Sequence, residues 1–238
     1  MLASKKFILA AALQMLSLSC HAIMSDTLFL TSNERGNGIY NISNNDAERT
    51  YIRAEMVKID VKDGKLVKTE LNKDNVLSWG IAVDPGKFIL NPGEIVSVGV
   101  KSLCKGEGCD LDHDNIYQIR FMPSLASDDS TANKKAVSVR FSVAPYYVIP
   151  ASPQKVDYTY DYDESKKTLT FHNTGNTYLK VKVDNCTKFD KKKTSCQAVY
   201  FVLAGLKKTI SLPDSFISEH TIIKVANHDQ SIQKQFGL

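Results

Sequence analysis

The chain has 238 residues, with 30 basic and 26 acidic side chains, a formal net charge of +4, and hydrophobic residues making up 43% of it. That balance is near neutral and the basic residues are scattered. The one run, Lys191-Lys192-Lys193, sits in a polar stretch that reads as a solvated turn, which argues against a nucleic-acid partner. Beyond the N-terminus no stretch approaches the roughly 20 apolar residues of a membrane-spanning helix, so no membrane insertion is expected.

Residues 1–22 read as a secretory signal, with Lys5 and Lys6 as the basic region, Phe7 to Leu18 as the apolar core and Cys20-His21-Ala22 as a small-x-small cleavage site. Lipidation at Cys20 is the alternative. Ser17-Leu18-Ser19-Cys20 has serine where a lipidation signal favours leucine. Removing this segment leaves 28 basic against 26 acidic residues, a charge of +2 on residues 23–238. The remainder, read as exported, suits one large β-domain or two of about 100 residues.

Strand signals then recur with no helix-period segment of useful length. The first half offers Thr27–Leu30, Gly38–Ile42, Thr50–Lys58, Ile81–Val83, Lys87–Leu90, Ile95–Val100, Ile116–Phe121 (ending at Pro123) and Ala136–Val143. Turn chemistry separates them, including Asp63-Gly64, Asp84-Pro85-Gly86 and Asn91-Pro92-Gly93. The second half offers Val156–Tyr160, Thr168–His172, Thr177–Val183, Ala198–Leu203, Lys207–Leu212 and Thr221–Val225. Short strands at this spacing predict an all-β chain of two immunoglobulin-like β-sandwiches, an N-terminal domain at 23–146 and a C-terminal domain at 147–238. Pro145, Pro150 and Pro153 mark the joint, because proline removes ladder donors and should interrupt any strand there. Between them Tyr146-Tyr147-Val148-Ile149 is too apolar for a loose tether and is expected to pack in the crease between domains.

Four cysteines remain after the signal, as Cys104/Cys109 and Cys186/Cys196. An even count at short spacing in an exported chain points to two disulfides, each closing a local loop. A zinc site would need both pairs together, although they lie about 80 residues apart without the usual two-residue spacing.

No motif for catalysis or phosphate binding occurs, and neither enzyme activity nor a cofactor is expected. Asp110-Leu-Asp-His-Asp114 resembles the start of a calcium loop. It has Asn115 where the loop needs glycine and Phe121 where it needs a carboxylate, so a solvated loop is the expected form. Trp79 is read as core at a strand start. Tyr158, Tyr160 and Tyr162 fall on one strand face, as a half-buried ladder or as a carbohydrate platform. Arg120 and Arg140 each interrupt an apolar strand, facing outward or anchoring an anion in a cleft.

Three blocks carry a resemblance: Ile81-Ala-Val-Asp-Pro-Gly-Lys-Phe-Ile-Leu-Asn-Pro-Gly93, Tyr117-Gln-Ile-Arg-Phe121 and Val137-Ser-Val-Arg-Phe-Ser-Val-Ala-Pro145. Their order is similar to the first domain of periplasmic chaperones of chaperone–usher pili. Leu169-Thr-Phe-His-Asn-Thr-Gly-Asn-Thr-Tyr-Leu179, followed by Cys186 and Cys196, resembles the alternate branch, which serves common-pilus and colonisation-factor pili. The resemblance implies two domains in an L, binding of pilin subunits by donor-strand complementation, and delivery to an outer-membrane usher. It places Val137, Val139 and Phe141 on the donor strand. Aligning Pro145 with the family's proline makes Arg140 the anchor of the subunit carboxylate, with Arg35 or Arg53 next in line. Ala144 stands where the better-known branch has an inter-domain arginine, so the hinge must be held differently. The competing function is a secreted two-domain adhesin or carbohydrate-binding module using the tyrosine face.

Overall fold

The computed structural model describes residues 23–103, 110–125, 141–187 and 196–238. Two β-sandwiches result, as the strand spacing predicted. In the first, β1 (Ile23–Ser25), β3 (Gly38–Asn44), β8 (Ile95–Ser102) and β6 (Ile81–Asp84) form one sheet. Its partner runs in the order β2 (Phe29–Thr31), β10 (Tyr146–Ile149), β9 (Asn115–Leu125), β4 (Thr50–Lys62) and β5 (Lys65–Leu71), with β7 (Lys87–Leu90) also paired to β4. The inward faces close over Tyr40, Ile42, Ile52, Ile81, Leu90, Val98, Phe121 and Tyr147. Fully burying one aliphatic side chain of this size is worth about 1.5–3 kcal/mol, so each sheet needs the other.

The second sandwich joins β11 (Tyr158–Asp163), β12 (Thr168–Asn173) and β15 (Lys207–Ser211) to a sheet of β14 (Gln197–Val202), β13 (Leu179–Asp184), β16 (Ile222–Ala226) and β17 (Gln233–Gly237). Leu-Lys-Val-Lys-Val-Asp in β13 alternates strictly, and Leu179, Val181 and Val183 are buried in its core.

Four strands escaped the sequence reading: β1, β5, β10 and β17. All of β5 but Leu71 is exposed, and β17 is largely polar, so neither carries an apolar alternation. The β4–β5 hairpin turns at Asp63-Gly64, with both residues at positive φ (51° and 71°), which suits the twist of a two-residue hairpin.

Two prolines did not end their strands. β9 passes through Pro123, which pairs opposite Ile52. Ile119 and Phe121 donate their amides away from β4, to the carbonyls of Pro145 and Val143. A proline two residues on lacks only a donor aimed the same way, so the β4 ladder loses nothing. Pro145 likewise keeps its carbonyl in the ladder, and the chain continues in register as Tyr146–Ile149 against Gln118–Asn115. The strand paired to β9 thus runs on to Pro150, across the point where the first domain was expected to end.

The outer face of the β2-β10-β9-β4-β5 sheet changes character along its length. Arg53, Glu55, Gln118 and Arg120 occupy it at one end. Val57, Ile59, Ile116, Tyr146, Val148 and Phe29 occupy it at the other, packed against Tyr178, Phe201, Leu203 and Leu206 of the second sandwich. The expectation that Tyr146–Ile149 fills the crease holds for alternate residues: Tyr146 and Val148 face the second sandwich, and Tyr147 and Ile149 face the first core.

Candidate functional site: a groove between the sandwiches

Where the covered part of that face ends, a groove of about 540 Å³ opens between the two sandwiches. One wall is Leu28, Phe29 and Tyr146. These are held together because the Tyr146 amide donates to the Leu28 carbonyl at 2.9 Å and β10 pairs in parallel with β2. Leu66 reaches in from β5, and the opposite wall comes from Val199, Tyr200 and Phe201 of β14 and Leu206 to Thr209. Its floor is fixed by Phe29 stacked on Phe201, with centroids 3.9 Å apart and planes within 2°. Leu28 is 65% exposed, and Val199 and Leu66 are also exposed, so apolar surface faces water here in one patch.

Lys208 gives the groove its charge. Its Nζ donates to the Phe201 carbonyl at 3.0 Å, and burial pushes its pKa below the usual lysine value. A half-buried ammonium with a neutral partner still has hydrogens to offer an anion, at a gain in a charge-assisted bond. Sequence reading missed it. Lys207-Lys208-Thr209 reads as a polar strand edge, and only the fold brings it beside Tyr146 and Leu28.

The predicted site residues divide. Val137, Val139 and Arg140, with Cys104 and Cys109, lie outside the described residues. Phe141 is described: it belongs to no strand and is 62% exposed, and Val143 makes a single bridge with Phe121. The alignment that put Arg140 in the cleft took Pro145 as the strand end, and the ladder continues four residues past it. Arg120 takes the outward form, paired with Glu70 at 2.8 Å. Arg53 is exposed and pairs with Glu55 at 2.5 Å, and Arg35 is exposed in a turn beside Asn33. None of these three lines the groove. Cys186 and Cys196 form a disulfide.

Trp79 packs partly buried against the first core, as expected. It closes a short 3-10 turn (Lys73–Ser78) rather than opening a strand, and its indole N–H donates to the Asn72 carbonyl at 3.2 Å. Tyr158 and Tyr162 pack against the second core, while Tyr160 stacks on Phe236 with centroids 3.9 Å apart. Tyr158 and Tyr162 thus take the half-buried ladder form, while Tyr160 remains 48% exposed. Asp114 departs from the solvated-loop expectation: its carboxylate accepts amides from Ala151 and Tyr178, and burial raises its pKa against the lowering effect of those bonds.

The family model of the CS5 fimbrial protein N-terminal domain matches residues 25–150, just over half of the chain. The chain belongs to that family. No curated protein matches the sequence. Among solved structures, this CS5-type chain is similar to the class 5 fimbriae chaperone CfaA (17% identity, covering 91% of this chain and 96% of that one, TM-score 0.52). It is also similar to a chain from the Salmonella enterica complex of the SafA pilin with the SafB chaperone (10%, 93% and 99%, TM-score 0.55). A third likeness is to a chain of the CsuC–CsuE chaperone–tip adhesion subunit complex of Acinetobacter baumannii (10%, 92% and 97%, TM-score 0.51). At these identities the likeness is one of fold: the two-domain β-sandwich of fimbrial chaperones. Among the described residues no helix is long and apolar enough to cross a membrane.

Proposed function

We propose that the chain is a periplasmic chaperone, exported by residues 1–22, that holds fimbrial subunits and hands them to an outer-membrane usher. The observation carrying this reading is the groove: exposed apolar side chains from both sandwiches meet the half-buried Lys208, a site suited to an extended, apolar segment that ends in a carboxylate. The upstream segment with Val137, Val139 and Phe141 supplies the donor strand by pairing with the subunit. The 62% exposure of Phe141 supports this, because a large apolar side chain left in water gains most from a partner. Lys208 is the anchor we favour, with Arg140 as the alternative.

Co-expression with candidate fimbrial subunits, followed by co-purification, tests it. The unaltered chain is expected to retain a subunit, and Val139→Asp is expected to lose it while staying folded. Lys208→Met is expected to weaken capture by about ten- to a hundredfold, the worth of a charge-assisted bond of roughly 1.5–3 kcal/mol. If Arg140→Ala loses the subunit and Lys208→Met keeps it, the anchor is Arg140. No capture of any fimbrial subunit by the unaltered chain would overturn the reading.

A further inference from the structure

Outside the lining of the groove, two sequence motifs meet that the capture site does not use. They are the acidic run Asp110–Asp114 and the hairpin Asn173-Thr-Gly-Asn-Thr177. Asp114 precedes β9 in the first sandwich, and its two carboxylate oxygens accept the Ala151 amide at 2.8 Å and the Tyr178 amide at 2.6 Å. Its own amide donates to the Asn176 carbonyl at 2.9 Å. The Asn176 side chain donates to the carbonyls of Asp112 at 2.8 Å and Pro153 at 2.9 Å, and accepts the Lys155 amide at 2.6 Å. The Ser152 amide reaches the Leu111 carbonyl at 2.9 Å. Three separate segments are therefore tied at one point: the loop entering β9, the connection after Pro150, and the turn of the β12–β13 hairpin. Glycine is required in that turn, since a Cβ at Gly175 would run into the Lys155 carbonyl and the Asp157 amide.

We propose that Asp114 and Asn176 form a latch that fixes the angle between the two sandwiches and so positions the groove for its partner. The apolar contact over Val57, Ile59 and Phe201 is not directional. Outside the latch the sandwiches are also tied by single bonds, Thr31 Oγ1 with the Tyr178 hydroxyl at 2.7 Å and the Lys207 amide to the Gly64 carbonyl at 3.3 Å. Hydrogen bonds with fixed donors and acceptors are directional, and the half-buried Asp114 carboxylate has no equivalent pair of amide partners if the halves rotate. The groove has one wall on each sandwich, so its width follows that angle. A chain that holds the right angle only part of the time binds more weakly in proportion to that fraction. Asp114 and Asn176 are thus positioning residues that do not themselves line the groove. The effect on capture rests on the chaperone reading; the effect on the angle does not.

The test uses the full chain with a fluorophore pair at Lys87 and Glu219, exposed positions on opposite sandwiches. Inter-fluorophore distances are measured without partner for the unaltered chain, Asn176→Ala, Asp114→Ala and Asp114→Asn. A single narrow distribution is expected for the unaltered chain and a clearly broader one for Asn176→Ala, with little change in Tm. Capture of a fimbrial subunit should fall by roughly tenfold if about a tenth of molecules keep the competent angle. Asp114→Asn, which retains one acceptor, should lie between the unaltered chain and Asp114→Ala. Should Asp114→Ala fail to fold, Asn176→Ala still decides, because its side chain is only half-buried. Distributions as narrow as the original in folded Asn176→Ala overturn the latch. Broadening in a chain that captures no subunit supports the latch and counts against the chaperone reading instead.

Discussion

The two ends of one sheet face make an instructive contrast. Strands β4 and β9 cross both ends, and β10 joins them at the covered one, with side chains alternating with the same period throughout. At the open end the outward positions are Arg53, Glu55, Gln118 and Arg120, paired with one another or with β5, as in the Arg120–Glu70 bridge. At the covered end they become Val57, Ile59, Ile116 and Val148, all buried beneath the second sandwich. The docking of the second sandwich is thus written as a change of residue class partway along each strand. The groove lies at that boundary, where apolar surface continues past the point at which the cover stops.

The largest effect that would break this contrast is a charge placed under the cover. Ile59→Asp is expected to lower stability by about 3–5 kcal/mol, because an unpaired carboxylate there has neither water nor a counter-charge. Thermal unfolding would read this as a large fall in Tm or loss of soluble protein; a near-native Tm would mean the covered end is wet. Phe201→Ala should cost about 3 kcal/mol through loss of its stack on Phe29, and should also remove the floor of the groove. Guanidinium unfolding of the purified variant measures it, and a cost below about 1 kcal/mol would argue that this contact opens in solution.

Lys208→Met sharpens the comparison at the boundary itself. Burial depresses the lysine's folded pKa below its ordinary 10.5. A base with a depressed folded pKa contributes stability that is present above the unfolded value and is lost as pH falls through the folded value. At neutral pH the charged lysine is therefore a cost to folding. The methionine variant is expected to be slightly more stable at pH 7, with the difference shrinking as pH rises through the depressed folded pKa and gone above about pH 10.5. A variant less stable at pH 7 would make Lys208 a structural residue. The smallest effect belongs to the open end: Arg120→Ala should change stability by no more than about 1 kcal/mol, since Glu70 is exposed. A larger loss, seen in denaturant unfolding, would mean that this end also is covered.

Alternation was readable wherever a strand had one buried face. The registers of β4, β9 and β13 follow from it, and turn chemistry marked the turn at Asp63-Gly64. β5 and β17 were not readable, because strands exposed nearly throughout carry no hydrophobic signal and are held by ladder bonds to a neighbour. Proline was over-read at Pro123 and Pro145. Its lack of a donor matters only where that donor would face a partner, and the linear chain does not say which way an amide points.

The site was less legible than the fold. Spacing could pair Cys186 with Cys196, because the contact is local, and the structure bears out that bridge. Lys208 acquires its meaning from Tyr146 and Leu28, and Asp114 from Ala151 and Tyr178, partners 37 to 180 residues away in the chain. The amino-acid sequence by itself determined two β-sandwiches, their inward faces and the apolar stretch that joins them, since all of these rest on period-two patterning between near neighbours. Only the tertiary structure decided which lysine is half-buried and which aspartate is tied across the joint. Desolvation and hydrogen-bond geometry depend on what lies opposite in space, and near-neighbour patterning carries no record of that.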